Sequence, residues 1–109
     1  MNINDYFESL ERKLTDAVQE AAEATAEDTR RQFRENIPSA RSQTRRAVRY
    51  VIEQHNNRLT IRVGLHFRQK FGRIQDTETA RIYYAAWRRV KPRTIVTLQT
   101  HLRKQLKSI

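Results

Sequence analysis

Residues that could perform acid–base, nucleophilic or metal chemistry are few and scattered along this 109-residue sequence. His55, His66 and His101 show no metal-ligand spacing, and there is no cysteine to serve as a thiolate ligand or nucleophile. Gly64 and Gly72 are the only glycines, so no glycine-rich phosphate loop is present. Only three carboxylates lie outside the first 36 residues. The sequence therefore predicts no enzyme activity, no cofactor and no metal site.

Positive charge is the chemistry that remains. Residues 1–36 carry nine acidic and five basic side chains, a net charge of −4, whereas residues 37–109 carry three and seventeen, a net charge of +14. A field of this sign attracts polyanions and acidic protein surfaces, although a charged face can also serve only to keep a protein solvated. The candidate contacts to a partner or to DNA are Arg41, Arg45, Arg46, Arg68, Lys70, Arg73, Arg88 and Arg89.

Three aromatic side chains near the second arginine pair have two interpretations. Tyr83, Tyr84 and Trp87 could stack on nucleic-acid bases, but aromatic residues at helical spacing belong more often to a core. We therefore favour the core. No motif of a known nucleic-acid-binding fold is present.

The acidic first segment is predicted to form one long helix, which we assign to residues 1–36. It contains no proline or glycine between Asn4 and Asn36, and the sequence Asn36-Ile37-Pro38 ends it, because proline disfavours a helical conformation in the residue before it. Apolar and small residues recur along it at spacings of three and four, namely Phe7, Leu10, Leu14, Ala17, Val18, Ala21, Ala22, Ala26, Thr29 and Phe33. The smaller ones would allow another helix to approach closely.

A β-hairpin is predicted over residues 44–67, with its turn at Asn56 and Asn57, because asparagine tolerates positive φ. In this register Val48 faces Leu65, Tyr50 faces Val63, Ile52 faces Ile61 and Gln54 faces Leu59. These pairs share one side of the sheet, and the other side is mostly polar. One face of the sheet should be buried and the other exposed to solvent.

The rest of the chain is interpreted as a mobile loop, FRQKFGRIQD, followed by two helices. A short helix at 77–90 would begin at a cap formed by Asp76 or Thr77, and a longer one at 92–108 would begin at Pro92. The apolar face of the longer helix would be Ile95, Leu98, Leu102, Leu106 and Ile109. The prediction is a single α+β domain over 1–109, with a long N-terminal helix, a small antiparallel sheet built on the hairpin, and one short and one longer C-terminal helix.

This layout resembles the tail-completion or neck proteins of long-tailed bacteriophages. The similarity is carried by the helix end Asn36-Ile37-Pro38, by Arg45 and Arg46 before the first strand, and by Pro92 before the last helix. The chain reads SARSQT and RIYYAAWRRV where family members carry a threonine–glycine pair and a glutamate, aromatic and glycine segment. Both glycines would mark tight turns, so these two connections should differ from those of the family.

The resemblance implies a non-enzymatic virion protein, made in the cytoplasm of the bacterial host. It implies a homo-oligomeric ring, a hexamer or dodecamer, that joins the head to the tail beside other neck and tail proteins. DNA would pass through its channel, where contact with the protein would be non-specific. Neither a membrane nor a small-molecule substrate is implied.

Two function classes therefore follow. One is a structural assembly subunit of a phage particle, and the other is a small basic protein that binds nucleic acid without sequence specificity. Charge is common to both. The size of the assembly separates them, because a ring subunit self-associates or joins its neighbours.

Overall fold

A computed structural model describes residues 2–56, 58–67, 70–71 and 77–109. Its elements are α1 (Ile3–Glu35), α2 (Ser42–Ala47), β1 (Val48–His55), β2 (Arg58–Phe67), β3 (Lys70–Phe71) and α3 (Thr77–Leu106). The strands form one antiparallel sheet in the order β1-β2-β3. This confirms the predicted α+β class, with its long N-terminal helix, hairpin-based sheet and C-terminal helix.

Local sequence explains both ends of α1. The side chain of Asn2 accepts a hydrogen bond from the Asp5 amide at 2.8 Å, which satisfies one of the free N–H groups of the first turn. At the other end the helix finishes at Glu35, and the Asn36 side chain donates to the Gln32 carbonyl at 2.8 Å. The predicted end of the helix before Pro38 is confirmed.

The hairpin register agrees with the sequence pairing. Val48 faces Leu65, Tyr50 faces Val63, Ile52 faces Ile61 and Gln54 faces Leu59. Asn56 has the positive φ that the turn requires, at 55°; Asn57 lies outside the described residues. The strand itself starts at Val48, not at residue 44, because residues 42–47 form the turn-and-a-half helix α2.

The core lies where the end of α1 meets α2, the base of the hairpin and the first half of α3. Its fully or nearly fully buried members are Phe33, Ile37, Ala47, Val48, Leu65, Ala86 and Val90. Phe33 contacts two of the three candidate aromatic residues, with ring centroids 5.2 Å from Tyr83 and 6.3 Å from Trp87. These two belong to the core edge, as predicted, whereas Tyr84 is 53% exposed.

The two predicted C-terminal helices, 77–90 and 92–108, are one helix. α3 continues through Pro92 to Leu106. Proline removes the N–H that would bond the Arg88 carbonyl, but Pro92 and Arg88 both lie on the exposed side, where water can replace that bond. Val90 anchors the opposite side in the core. Packing of the buried side therefore keeps the helix continuous through Pro92, which the sequence alone predicts to be a helix boundary.

The segment predicted as a loop contains the short strand β3, which pairs with β2 through Phe67 and Lys70. The predicted mobility of that loop and the capping role of Asp76 concern residues outside the described part of the chain.

α3 packs against α1, and the two helices run antiparallel. Phe33 near the end of α1 contacts Tyr83 and Trp87 near the start of α3, and Gln105 at the other end of α3 lies beside Lys13 and Glu20. The α1 side of this contact is the small-residue stripe, in which Ala17, Ala21, Ala22, Thr25, Ala26 and Thr29 are buried. The structure measures 60 × 25 × 18 Å.

Candidate interaction surface

The predicted basic contacts divide among separate places in the structure. Arg45 and Arg46 lie on α2, and Arg41 lies just before it, with its guanidinium 3.3 Å from the Glu78 carboxylate at the start of α3. Arg88 and Arg89 are exposed and lie roughly 15 Å further along α3. Of the rest, Arg68 and Arg73 lie outside the described residues, as does the side chain of Lys70, whose backbone is in β3.

Five arginines meet where α1 ends, α2 turns and β1 begins. We call them the arginine junction: Arg30, Arg34, Arg45, Arg46 and Arg49. Arg34 and Arg49 both donate to the Val48 carbonyl, at 3.2 and 2.9 Å, and Arg49 also bonds the Arg46 carbonyl. Arg30, Arg34 and Arg49 are not among the contacts predicted from the sequence; a signal for Arg30 and Arg34 is their position one turn apart near the end of α1.

Much of the arginine junction holds backbone in place. Arg45 donates from Nε to the Ile37 carbonyl at 2.6 Å, and this bond ties α2 to the chain that leaves α1. Arg45 therefore has a structural role, in which its Nε donor is used. Arg46, by contrast, is exposed and reaches only Ser42, at 3.4 Å.

The junction also concentrates positive charge. Burial lowers the pKa of Arg34 from its ordinary value, and the neighbouring charges of Arg30 and Arg49 lower it further. Glu27 pairs with Arg30 and acts in the opposite direction. Like charges held this close make the site favourable for an anionic partner, because such a partner relieves their repulsion.

A second surface consists of apolar side chains that nothing in the described part of the chain covers. The α1 row is Ile3, Phe7, Leu10, Leu14 and Val18. Ile3 is 72% exposed and Phe7 59%, and Leu14 and Val18 are each 40% exposed. The row continues the stripe that is buried from Ala17 onward. The predicted apolar stripe of α1 is thus core in its second half and surface in its first.

The α3 row is Ile95, Leu98, Leu102, Leu106 and Ile109, which the sequence placed on a packed face. In the structure Ile95 is 65% exposed, Leu106 43% and Ile109 46%, whereas Leu98 and Leu102 are half-buried. Ile109 also lines a cavity beside Lys13 and Glu20 of α1. α3 instead turns Val90, His101 and Gln105 toward α1. The predicted face is displaced by about one residue, because Val90 is fixed in the core and His101 Nε2 lies 2.6 Å from Asp28 Oδ2 on α1.

No cluster of three or more histidine or acidic residues within the described part of the chain could hold a metal ion. None of the described helices is both long and apolar enough to cross a membrane. In comparisons with known proteins, no family model, no curated protein and no solved structure matches the chain. The fold and these two surfaces define an elongated α+β protein with an arginine-rich junction and exposed apolar side chains.

Proposed function

We propose that the chain is a structural assembly protein of a phage particle, a neck or tail-completion subunit that joins the head to the tail. The observation that supports this most is the uncovered α1 row. Large apolar side chains such as Ile3 and Phe7 are expensive to leave in water as a continuous row, and such rows mark protein contacts. An assembly subunit finds cover for them in its neighbours.

The order of elements supports the same function. A long helix ending before Pro38 and a basic lead into a hairpin are two of the features on which the family resemblance rests; the third, a last helix opened by Pro92, is not found, because α3 continues through Pro92. In a ring of such subunits, the exposed Arg46, Arg88 and Arg89 are available to neighbouring neck and tail proteins or to the phosphates of passing DNA.

The direct test is a phage deleted for the gene that encodes the chain. We expect filled heads and separate tails that fail to join, with DNA replication unaffected, and rescue by the gene supplied in trans. Electron microscopy of lysates shows whether heads and tails join, and antibody labelling of particles shows where the protein lies. Normal particles from the deletion phage, or label away from the head–tail junction, would exclude this function.

A matched variant examines the basic surface in the same phage. Reversing Arg46, Arg88 and Arg89 to glutamate should leave the fold intact, since all three are exposed. Joining of heads to tails should fall. The control carries Arg31→Glu, Arg58→Glu and Arg62→Glu, which reverse three exposed charges elsewhere. Equal losses in both variants would show that net charge matters and not this surface.

The arginine junction favours a second candidate, a nucleic-acid-binding protein without sequence specificity. The crowding of Arg30 and Arg49 around Arg34 favours an anion such as a phosphate backbone. A titration of a DNA duplex against salt tests it. Affinity should fall with salt by a slope of about one per phosphate contacted, and Arg49→Gln should reduce the slope. DNA binding that is absent at low salt would eliminate this candidate.

A further inference from the structure

β1 is an edge strand, because the order β1-β2-β3 gives it a neighbour on one side within the described sheet. Both backbone groups of Val48, at its start, are used away from β2. The Val48 N–H donates to the Arg45 carbonyl, and the Val48 carbonyl accepts from Arg34 and Arg49. Val48 and Leu65 therefore face each other without ladder hydrogen bonds.

The rest of β1 follows from this pair, since hydrogen-bonded and non-hydrogen-bonded pairs alternate along an antiparallel ladder. The N–H and C=O groups of Tyr50, Ile52 and Gln54 point away from β2, and those of the alternate residues point toward it. Within the described part of the chain, no backbone group outside the ladder bonds to these three residues. Such a row of donors and acceptors is a template for an added strand.

The start of this edge is positively charged. The guanidinium groups of Arg34 and Arg49 converge there on the Val48 carbonyl. They also end the row of available backbone groups, because they occupy the carbonyl that a longer added strand would use. A chain lying along the edge therefore meets two cations at Val48.

The other end of the edge is apolar. The Gln54 side chain lines an open groove between α1 and the hairpin, with Leu14, Val18 and Leu59. Glu11 and Arg58 line the same groove and have opposite charges, so the groove favours neither sign. It can take an apolar side chain from a strand added beside Gln54.

We propose that β1 accepts an extended segment of a partner protein as an added strand, with an acidic side chain opposite Val48 and an apolar one opposite Gln54. An even number of residues separates these positions, so both side chains lie on one face of the added strand. Backbone bonds supply affinity, and the two side chains supply specificity. The acidic group relieves the repulsion between Arg34 and Arg49. The contact goes beyond the proposed function, because it does not require a role in a virion.

Hydrogen exchange followed by NMR tests the edge in the free chain. The amides of Tyr50, Ile52 and Gln54 should exchange much faster than those of Val51 and Glu53, which are bonded to β2. Equal protection of the two sets overturns the proposal, because the edge is then already paired. Protection of the first set that rises with protein concentration also overturns it, since a second copy then occupies the edge.

The probe for binding is the capped peptide acetyl-Leu-Thr-Val-Thr-Val-Thr-Glu-amide. As an antiparallel strand it places its glutamate opposite Val48 and its leucine opposite Gln54. NMR titration should show binding that slows the exchange of the Tyr50, Ile52 and Gln54 amides and leaves Val51 unchanged. A peptide that does not bind at about 1 mM overturns the proposal.

Backbone methylation of the peptide separates strand addition from other modes of binding. Methylating the nitrogen of either valine should abolish binding, because these N–H groups face Tyr50 and Ile52. Methylating the central threonine is the matched control and should leave the affinity unchanged, because its N–H points away from β1. Equal effects at valine and threonine overturn strand addition.

The charged end is tested from both partners. On the wild-type chain, lysine in place of the peptide's glutamate should weaken binding by about tenfold or more. Arg49→Glu, at an exposed residue, should reverse this preference, whereas Arg103→Glu, an exposed change on α3, should keep it. A wild type that binds both peptides equally overturns the acidic requirement, even if Arg49→Glu fails to fold.

The apolar end is tested by a double-mutant cycle. Alanine in place of the peptide's leucine should weaken binding, and the difference between the two peptides should shrink with Leu14→Ala. Ile95→Ala, at an exposed position on α3, is the control and should leave the difference intact. A difference that Leu14→Ala does not change overturns the groove contact. None of these outcomes affects the head–tail joining test, which is made in particles.

Discussion

At the scale of single residues, two neighbouring arginines on α2 have different roles. Arg45 is half-buried and donates to the Ile37 carbonyl at 2.6 Å, whereas Arg46 is exposed. Arg45→Ala should lower the free energy of unfolding by about 1.5 to 3 kcal/mol, the usual effect of losing a hydrogen bond from a charged donor. Arg46→Ala should leave it unchanged within error. Urea denaturation of both variants measures the difference, and equal effects would contradict the assignment of Arg45 as structural.

Tyr83 gives a prediction for alkaline pH. Burial, and next the neighbouring Tyr84, raise the pKa of Tyr83 above the ordinary 10.0. The unfolded chain therefore releases this proton first, so the stability that Tyr83 contributes is complete below pH 10.0 and is lost as pH rises through the folded-state pKa. Urea denaturation at pH values below and above 10.0 should show this fall in the free energy of unfolding.

Tyr83→Phe should remove that part of the pH dependence and leave the packing on Phe33 intact. In an alkaline titration followed by ultraviolet absorbance, the variant should lose the phenolate that forms above the ordinary pKa of 10.0. Tyr6→Phe, at an exposed position in the first turns of α1, is the control for the loss of one phenol. If Tyr83→Phe leaves the pH slope of stability unchanged, another group causes it.

At the scale of elements, Pro92 lies inside a continuous helix, and this has a measurable effect. Pro92→Ala restores the N–H that the Arg88 carbonyl lacks. The variant should be more stable by about 1 to 2 kcal/mol, less than the roughly 3 kcal/mol of proline in a straight helix, because water already serves the exposed carbonyl. Pro38→Ala, outside any helix, should be slightly destabilising since it frees the unfolded chain. A loss of stability in Pro92→Ala would instead indicate a helix that begins at Pro92.

Pro92 also shows how far the sequence could predict these elements. Local signals specified the helix end at Pro38 and the hairpin at Asn56, because both depend on the backbone preferences of one or two residues. The continuity of α3 depends on which side of the helix packs, and that is a tertiary property. The same holds for the α3 row, whose periodicity was correct but whose contact face was set by Val90 and His101.

The contact surface was harder to predict than the fold. Exposed arginines such as Arg88 could be proposed from composition, but no local pattern predicts that Arg45 donates to a carbonyl eight residues away. Arg34 and Arg49 converge on Val48 from different elements. Arg34 and Arg49 are close because α1 and β1 pack together, and this packing cannot be read from the spacing of the two residues along the chain.

At the scale of the whole molecule, the shape itself can be measured. The radius of gyration is 17.3 Å, compared with about 13 Å for a compact chain of 100 residues. Small-angle scattering from the monomeric chain should give a radius of gyration near 17 Å and a longest dimension of about 60 Å. A radius of gyration near 13 Å would mean that the first turns of α1 fold back onto the rest of the protein.

The exposed first turns of α1, from Asn2 to Glu8, have a consequence for how the chain meets a partner. A helical segment of about a dozen residues without tertiary support is only marginally stable in water, so residues 3–12 should unwind and re-form far more often than the buried turns after Ala17. Their amide hydrogens should exchange quickly in the free chain and slowly once a partner covers them. Such a partner must supply the free energy of ordering this segment, so its affinity would depend on how much helix the N-terminal turns of α1 hold before it binds.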